Sequence, residues 1–413
     1  MTTNLNIALR FLGSRKRAML MSLAGIIFGV AFFILTQAQT AGFESYFIKT
    51  ILGVNGMVRV EDRAQSTLRT LDADPDSTFT VTVEGSVKYI PGIQYPSRIL
   101  ESLTHFPGIT AASPVIRGNA TLKANFREYD CKPYGIELAS YVGVSDIESQ
   151  IVDGSLQTFA DNPYGLLLGA RIAQRLNLHS GDAILLESAH TRMRFRISAI
   201  FETGIDQVDR ERVYLHLSAS RSLLNRTNGA SFIQVNLDDP DRAPYLAARM
   251  ENVLSHAVMP WQEREKTWLQ VFNVLRLSSA LTISTIILIS GIGMFNTLVM
   301  IVIDKTREIA ILRSMGYTRG DITQIFMLQG SIVLALGLVL GWIAAAAGTW
   351  GVSRIPVNIR GIFASDHLVV VWDAWHYVWA SLIAAVVVLV ASYFPARRAA
   401  RLEPGTVIRG SGD

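Results

Sequence analysis

The chain has 413 residues, of which 50% are hydrophobic and 17% are charged, and its mean hydropathy is +0.30. Average soluble domains carry about a quarter charged residues, so this composition favours a membrane protein. The single cysteine, Cys131, excludes a scaffold held by intramolecular disulfides, and the net charge of +4 comes mostly from basic flanks of apolar segments, not from a nucleic-acid-binding surface.

Four stretches without a charged residue are each long enough to cross a bilayer, which takes about 20 helical residues. They are residues 18–43, 277–303, 322–353 and 374–396. The last one begins with Trp375, Tyr377 and Trp379, which are typical of the aromatic belt at a membrane interface. The predicted fold class is therefore membrane α-helical with four transmembrane helices, plus a large α+β extracytoplasmic domain.

Basic residues in the short flanks predict the orientation of these helices. The N-terminus, the segment after the second helix and the C-terminal tail are basic, whereas residues 354–373 carry two arginines offset by two aspartates. Both termini are therefore predicted to be cytoplasmic. The first apolar region is about twice the usual length of a signal peptide, so we expect it to stay as an anchor. The predicted order is a cytoplasmic amphipathic elbow helix (1–17), transmembrane helix 1 (18–43), a periplasmic α+β domain (44–270), transmembrane helix 2 (271–303), a cytoplasmic helix (304–321), transmembrane helix 3 (322–350), a short periplasmic loop (351–373), transmembrane helix 4 (374–395) and a cytoplasmic tail (396–413).

The long segment after the first helix mixes strand and helix patterns. Alternation and β-branched residues predict strands in GMVRVED, FTVTVEG, DAILLES, RFRISAIFE, RVYLHL and SFIQVNL. Helices are predicted in YPSRILESLTHF, GARIAQRLNL and DPDRAPYLAARMENVLSHAV. No role is predicted for residues 63–99.

This segment offers little catalytic chemistry. Its histidines are scattered, without the spacing of metal ligands, so no metal site is predicted. Cys131 lies between Asp130 and Lys132 but has no histidine placed beside it, which favours a structural role. Neither hydrolase motifs nor a phosphate-binding loop of the type G-x-x-x-x-G-K-[ST] occurs in the sequence. No catalytic residue is predicted, and we do not expect this chain to hydrolyse ATP by itself.

The segment DKTREIAILRSMGYTRGD, residues 304–321, separates two long apolar runs. Its apolar residues recur at helical spacing between charged ones, which predicts a short amphipathic helix. Spacing alone leaves two interpretations open. The apolar face could bind a groove of another protein, or it could rest on lipid headgroups.

The stretch KTREIAILRSMGYTRGDITQIFMLQG (305–330) resembles the signature of ABC-transporter permeases of the MacB/FtsX superfamily. The tail YFPARRAARLEPGTVIRG (393–410) is similar to the ending of the same family. The start IALRFLGSRKRAMLMSLAGIIFGVAFFILTQAQTAGFE and the later block FRISAIFETGIDQVDRERVYLHL resemble the lipoprotein-releasing branch, LolC and LolE. These likenesses cover about four-fifths of the chain.

The resemblance implies a permease subunit in the inner membrane that works with a dimer of ABC ATPase subunits and with a second permease subunit, in a homodimer or a LolC/LolE-like heterodimer. ATP and Mg would be used by the ATPase, and no cofactor is expected on this chain. A periplasmic lipoprotein carrier is a further possible partner, although the connection in LLESAHTRMRFRI (185–197) has no room for the hook that LolC uses to recruit it. The predicted ATPase-coupling residues are Lys305, Arg307, Glu308, Ile309, Ile311, Leu312, Arg313, Met315 and Gly316.

The predicted cargo-binding residues are Phe28, Phe32, Phe33, Met294 and Phe295, which would offer an acyl chain an apolar wall. Acidic and basic residues are absent from the four apolar stretches, whereas ion-coupled carriers generally need such groups inside their helices. This pattern favours ATP-driven mechanotransmission, and lipoprotein extraction from the inner membrane is the expected function. The alternatives are a MacB-like exporter of an antibiotic, peptide or other small molecule, and an FtsX-like signal relay across the membrane.

Overall fold

A computed structural model describes residues 2–12, 16–62, 92–189, 191–226, 228–254, 256–356 and 367–401. Its contacts divide the chain into two compact units. The membrane unit comprises Met1–Tyr46, Gln270–Val357 and His367–Asp413, and the sheet unit comprises Phe47–Leu269 and Asn358–Asp366. The strand predicted at residues 79–85, and most of the uninterpreted segment 63–99, lie outside the described residues.

Within the described residues, the helices are α1 (Thr2–Leu12), α2 (Lys16–Asn55), α3 (Pro96–Leu103), α4 (Leu138–Tyr141), α5 (Leu156–Asp161), α6 (Ala170–Leu176), α7 (Asp206–Glu211), α8 (Leu217–Leu223), α9 (Ala243–Leu254), α10 (Trp261–Arg264), α11 (Lys266–Asp304), α12 (Thr306–Ser314), α13 (Arg319–Val352) and α14 (Ala374–Ala400). The strands are β1 (Val58–Glu61), β2 (Ile109–Arg117), β3 (Ala120–Ala124), β4 (Arg127–Ile136), β5 (Ile151–Gly154), β6 (Gly165–Gly169), β7 (Ala183–Glu187), β8 (Arg192–Phe201), β9 (Arg212–His216), β10 (Phe232–Leu237) and β11 (Ala257–Pro260).

Four helices, α2, α11, α13 and α14, are long and apolar enough to cross a membrane, which confirms the four predicted spans. Two of them are longer than a bilayer requires. Helix α2 has 40 residues and α11 has 39. At 1.5 Å per residue each is about 60 Å long, roughly twice the thickness of the hydrocarbon layer. The charge-free stretch therefore covers only part of each helix: residues 18–43 are the N-terminal part of α2, and residues 277–303 are the C-terminal part of α11.

Small residues allow the helices of the membrane unit to pack closely. A Cβ atom added to Gly25 of α2 would lie 2.8 Å from Ser290 Oγ of α11, and one added to Gly29 would lie 2.9 Å from Ile287 Cγ1. A hydrogen bond of 3.0 Å between Ser22 Oγ and Thr297 Oγ1 joins the same two helices. Transmembrane helices associate through such close approach of their backbones, because lipid and not water surrounds them.

The sheet unit is α+β, as the mixed patterns predict. The strands run in the order β11-β1-β10-β2-β4-β3-β7-β8-β6-β9, with β5 beside β8. Because β4 also pairs with β9, the ladder closes into a ring of β4, β3, β7, β8, β6 and β9. Leu122, Leu186 and Phe195 belong to the buried core of this ring, and α3 and α9 share a second core with β1 and β10.

The connection between β7 and β8 is a tight hairpin. Glu187 pairs with Arg192, and Ser188 and Thr191 exchange backbone hydrogen bonds of 2.9 and 3.4 Å. Only two residues, Ala189 and His190, separate the hydrogen-bonded pair, and the second of them lies outside the described residues. The prediction of a short connection in 185–197 is therefore confirmed.

Candidate functional site

The charged segment between α11 and α13 forms the predicted short helix, α12. Its first turn carries Glu308 and its last turn carries Arg313. Both charges interact favourably with the helix dipole. The helix ends in a Schellman motif, in which Gly316 N donates to Arg313 O (3.2 Å) and Tyr317 N donates to Leu312 O (3.2 Å). Gly316 has φ +101°, a conformation that L side chains rarely adopt, so a glycine is favoured at this position, where the helix ends.

One face of α12 packs on the membrane unit itself. Ile309 is 0% exposed and belongs to the buried cluster that also contains Ile301 of α11 and Ile322 of α13. Leu312 is partly buried against the same cluster. The prediction that Ile309 contacts another protein is therefore wrong for this structure, because the side chain is already covered by its own chain, and Leu312 is only partly available.

Two basic residues of the segment also bind within the membrane unit. Arg313 Nη1 donates a hydrogen bond of 2.7 Å to the carbonyl oxygen of Ala400, in the last turn of α14. Lys305 Nζ lies 5.5 Å from the ring centroid of Phe11 in α1 and forms an ion pair with Glu308. The sequence predicts both residues for ATPase coupling, and no local pattern in it indicates these contacts.

The opposite face of α12 is open. Ile311 is 46% exposed and Met315 is 73% exposed, and the side chains of Arg307 and Glu308 are exposed as well. Residues 307, 311 and 315 are four apart, so they lie along one stripe of the helical surface. We call Arg307, Ile311 and Met315 the open stripe. Gly316 follows it, and no atom lies within 4 Å of a Cβ added there.

The structure separates the five predicted cargo-binding residues into two groups. Phe28 is 72% exposed, Phe32 is 53% and Phe295 is 36%. Phe33 and Met294 are buried in the core of the membrane unit, at 4% and 1% exposure. Phe33 and Met294 therefore have no surface to offer an acyl chain, because neighbouring positions of a helix point in different directions, and cargo binding by Phe28, Phe32 and Phe295 stays a prediction.

Cys131, His216 and His256 occupy structural positions in the sheet unit. Burial raises the pKa of the Cys131 thiol to about 12, so it stays protonated and unreactive near neutral pH. His216 stacks on Phe159 and contacts its carbonyl oxygen, while His256 contacts the carbonyl oxygen of Leu254. Across the residues that the structure describes, no three or more His, Cys, Asp or Glu side chains are grouped to hold a metal ion.

Comparisons with known proteins agree with this architecture. The family model described as MacB-like periplasmic core domain matches residues 19–253, and the one described as FtsX-like permease C-terminal matches residues 280–404.

Two curated relatives match nearly the whole chain. The lipoprotein-releasing system transmembrane protein LolC of Xylella fastidiosa (strain Temecula1) is 24% identical over 98% of each chain. The corresponding protein LolE of Haemophilus influenzae is 26% identical over 94% of this chain and 93% of its own.

A solved structure, the periplasmic region of MacB from Actinobacillus actinomycetemcomitans, covers 52% of this chain and 94% of that one, with 13% identity and a TM-score of 0.35. The two family models together cover most of the chain, with strands β1 to β10 inside the first and helices α12, α13 and α14 inside the second. The chain belongs to the MacB/FtsX family of ABC-transporter permeases.

Proposed function

We propose that this chain is the permease subunit of an ATP-driven transporter that extracts lipoproteins from the inner membrane and releases them to the periplasm. In this proposal α12 and both termini face the cytoplasm, and the sheet unit lies in the periplasm. The observation that carries the proposal is the two-faced helix α12, which is fixed to its own chain on one side and open on the other.

The open stripe supports docking of a separate ATPase. Two large apolar side chains, Ile311 and Met315, stand in solvent beside the charges of Arg307 and Glu308. Apolar anchors supply affinity at such a contact, whereas charges at the rim orient the partner. Because Ile309 and Arg313 hold the other side of α12, force applied to the stripe would pass into α11, α13 and α14, since packed interiors transmit displacement.

Mechanical transmission from ATP hydrolysis also fits the long helices. Helices α2 and α11 are continuous over 40 and 39 residues, and both supply residues to the membrane unit and to the sheet unit. The spans contain no charged group in their central stretches, so ion coupling has no residues to use there. Energy would therefore enter through the ATPase, which would bind the ATP and Mg.

Lipoprotein as cargo is supported by two observations. Two relatives that align over nearly the full chain are named for lipoprotein release. The exposed phenylalanines Phe28, Phe32 and Phe295 offer apolar surface to an acyl chain. Four spans make half of a permease, so a second copy or a LolC/LolE-like partner would complete the pathway. With only four residues between β7 and β8, a periplasmic carrier would have to dock without a hook.

The second candidate is an exporter of antibiotics, peptides or other small molecules. It is favoured by the match of residues 19–253 to the MacB-like core and by a macrolide export protein, MacB of Pectobacterium atrosepticum, that is 30% identical over 28% of this chain and 16% of its own. A signal relay of the FtsX type is less favoured because the segment before α11 is large for that class.

The docking step is tested by substituting the open stripe. The permease is co-expressed with ABC ATPases from the same organism and purified in lipid nanodiscs. Ile311→Asp and Met315→Asp are expected to lose ATPase co-purification and stimulated hydrolysis while the permease keeps its melting temperature. Val253→Asp, at a 66% exposed position of α9, is the matched control and should behave as the wild type. Wild-type coupling in both stripe variants would overturn the docking assignment.

The cargo is tested in the same nanodiscs by ATP hydrolysis with a triacylated lipoprotein and with its deacylated form. Stimulation by the acylated form alone supports lipoprotein extraction. Phe32→Ala should then weaken the stimulation, while Tyr245→Ala, at an exposed position of the sheet unit, should leave it unchanged. Intact basal hydrolysis without any response would reject lipoprotein as cargo and favour the exporter.

A further inference from the structure

The sheet unit contains a cavity of about 570 Å³ where β2, β4 and β9 meet. This volume is within the range of small-molecule sites, which is about 300–1,000 Å³. Its polar lining includes Asn55, Arg117, Asn119, Lys132, Tyr134 and Arg212. None of these residues belongs to the coupling helix or to the aromatic set of the membrane unit.

Strand register places the basic residues on one face of the sheet. Lys132 of β4 pairs with Arg212 of β9, and two residues later Tyr134 pairs with Tyr214 in the same parallel ladder. Arg117 of β2 pairs with Tyr134 in the antiparallel ladder. Paired residues, and residues two apart on a strand, share a face. The three cations and the phenol of Tyr134 therefore point to the same side.

Arg212 is a buried cation whose partners are neutral. Its residue is 7% exposed, and its guanidinium lies 4.2 Å from the ring centroid of Tyr134. Nη1 donates to the hydroxyl of Tyr214 at 3.0 Å, and Nη2 donates to Asn55 Oδ1 at 2.9 Å. A buried charge is costly unless an opposite charge compensates it. The environment of Arg212 supplies hydrogen bonds but no carboxylate.

The two carboxylates that line the cavity are already engaged with other bases. Glu211 forms an ion pair with Lys132, and Glu265 forms one with Arg264 at 3.2 Å. Among the described ion pairs, none includes Arg117 or Arg212. The lining therefore keeps two guanidiniums without an acidic partner.

The neighbouring side chains report the positive potential of this region. Burial would raise the pKa of the Tyr134 phenol, but the guanidiniums of Arg212, Arg117 and Arg59 lower it below its ordinary value. Burial, together with the nearby charge of Arg59, lowers the pKa of Arg264 to about 10. The lowered pKa of Tyr134 has the sign that a surplus of positive charge produces, whereas burial is the main cause of the lowered pKa of Arg264.

We propose that this cavity binds a phosphate ester, with Arg117, Lys132 and Arg212 contacting the phosphoryl oxygens and Asn119 and Tyr134 at its edge. Guanidinium groups match phosphate geometry and form short, charge-assisted hydrogen bonds with it. The apolar side chains of Ile51, Ile205 and Val208 also line the cavity and would contact the organic part of the ester. The ester is either a soluble metabolite or the headgroup of an anionic phospholipid.

The proposal is tested on the full-length protein in an uncharged detergent. Calorimetry and thermal unfolding are measured with glycerol 3-phosphate and with inorganic phosphate, each against sodium chloride at equal ionic strength. Arg117→Gln and Lys132→Gln keep the buried Arg212 and are expected to bind about tenfold more weakly, as loss of a charge-assisted hydrogen bond implies. Arg194→Gln, at an exposed position of β8, is the charge-matched control and should bind as the wild type.

Nanodiscs distinguish the two sources of the ester. If a phospholipid headgroup is the ligand, discs of phosphatidylglycerol should weaken binding of glycerol 3-phosphate compared with discs of phosphatidylcholine. Equal binding in both discs would identify a soluble ester. Binding no stronger than that of chloride, or equal binding in wild type, Arg117→Gln and Lys132→Gln, would overturn the proposal.

Discussion

The membrane unit and the sheet unit bury polar side chains in different ways. In the part of the membrane unit that the structure describes, the buried polar side chains are all uncharged: Ser22, Gln37, Thr297, Gln329, Thr349 and Ser392. The sheet unit buries Asp209 and Arg212 as well. The membrane unit thus keeps its charges at helix ends, as in α12, whereas the sheet unit can hold ions in its interior.

This difference has a physical origin and a functional consequence. A span with charged groups would have to satisfy them without water, at a cost of about 2.5–3.5 kcal/mol per group at the centre of a helix. Close packing through small residues, together with hydrogen bonds between uncharged groups, therefore stabilises the membrane unit. The sheet unit can surround a guanidinium with aromatic rings and amides, and this makes a ligand site possible there.

The largest effect is expected where the helices of the membrane unit approach most closely. A Cβ atom on Gly330 of α13 would lie 2.2 Å from Ser392 Oγ of α14. Gly330→Leu should therefore cost at least about 3 kcal/mol, the upper end of overpacking, and reduce the yield of monodisperse protein. Gly293→Leu is the control, because no atom lies within 4 Å of a Cβ there. Equal melting temperatures for both variants in detergent would contradict packing through small residues.

A second, somewhat smaller effect tests the exclusion of charge. Gln329 is 0% exposed, and its Nε2 donates to the carbonyl oxygen of Ala8 at 3.3 Å. In Gln329→Glu, a carboxylate oxygen would replace the amide donor and face the carbonyl oxygen of Ala8 with no hydrogen bond between them. We expect a loss of about 3 kcal/mol in unfolding free energy.

Gln324→Glu is the matched control on the same helix. Gln324 Oε1 accepts a hydrogen bond of 3.0 Å from Asn4 Nδ2, and a carboxylate can accept the same bond. This variant should change the unfolding free energy by less than about 0.5 kcal/mol. If the two variants proved equally stable, the interior of the membrane unit would tolerate charge and the comparison would fail.

The sequence allowed most of the architecture to be predicted, but not the centre of the sheet. Four spans, α12 and the strands β1, β7, β8, β9 and β10 carry regular hydrophobic patterns. Strand β4 was missed, although it pairs with β2, β3 and β9. It contains Pro133 and Gly135, which argue against a central strand when read locally. Pairing with three strands, of which β9 is distant in the sequence, outweighs that local signal.

The candidate site shows the same limit at the scale of single residues. Ile309 and Ile311 are two positions apart on α12 and therefore face nearly opposite directions. Helical spacing identifies both as apolar anchors, but only the fold decides that Ile309 packs on its own chain and Ile311 stays open. In the same way, Phe32 is exposed and its neighbour Phe33 is buried. The tether from Arg313 to Ala400 joins residues 87 apart, which no local pattern could indicate.

The smallest effect concerns a buried acid of the sheet unit. Asp209 is 0% exposed, and its Oδ1 accepts hydrogen bonds of 2.8 Å from both the backbone N and the hydroxyl of Thr203. Burial raises the pKa of this carboxyl from 3.8 to about 6. The folded state therefore binds the proton more tightly than the unfolded state, so stability is greatest below about pH 4 and falls as the pH rises through 6.

Removing the titration should flatten this dependence. Each pKa unit corresponds to about 1.4 kcal/mol, and at pH 4 the carboxyl of the unfolded state is already partly ionised, so the wild-type sheet unit should lose about 2 kcal/mol between pH 4 and pH 7. Asp209→Asn keeps an oxygen that can accept from Thr203, and it should match the wild type at pH 4 and exceed it at pH 7. Urea unfolding of the full-length protein, followed by proteolysis of the sheet unit, measures both curves. Parallel curves would mean that Asp209 titrates normally, and the ability to hold an ionisable group in the interior would then depend on Arg212 alone.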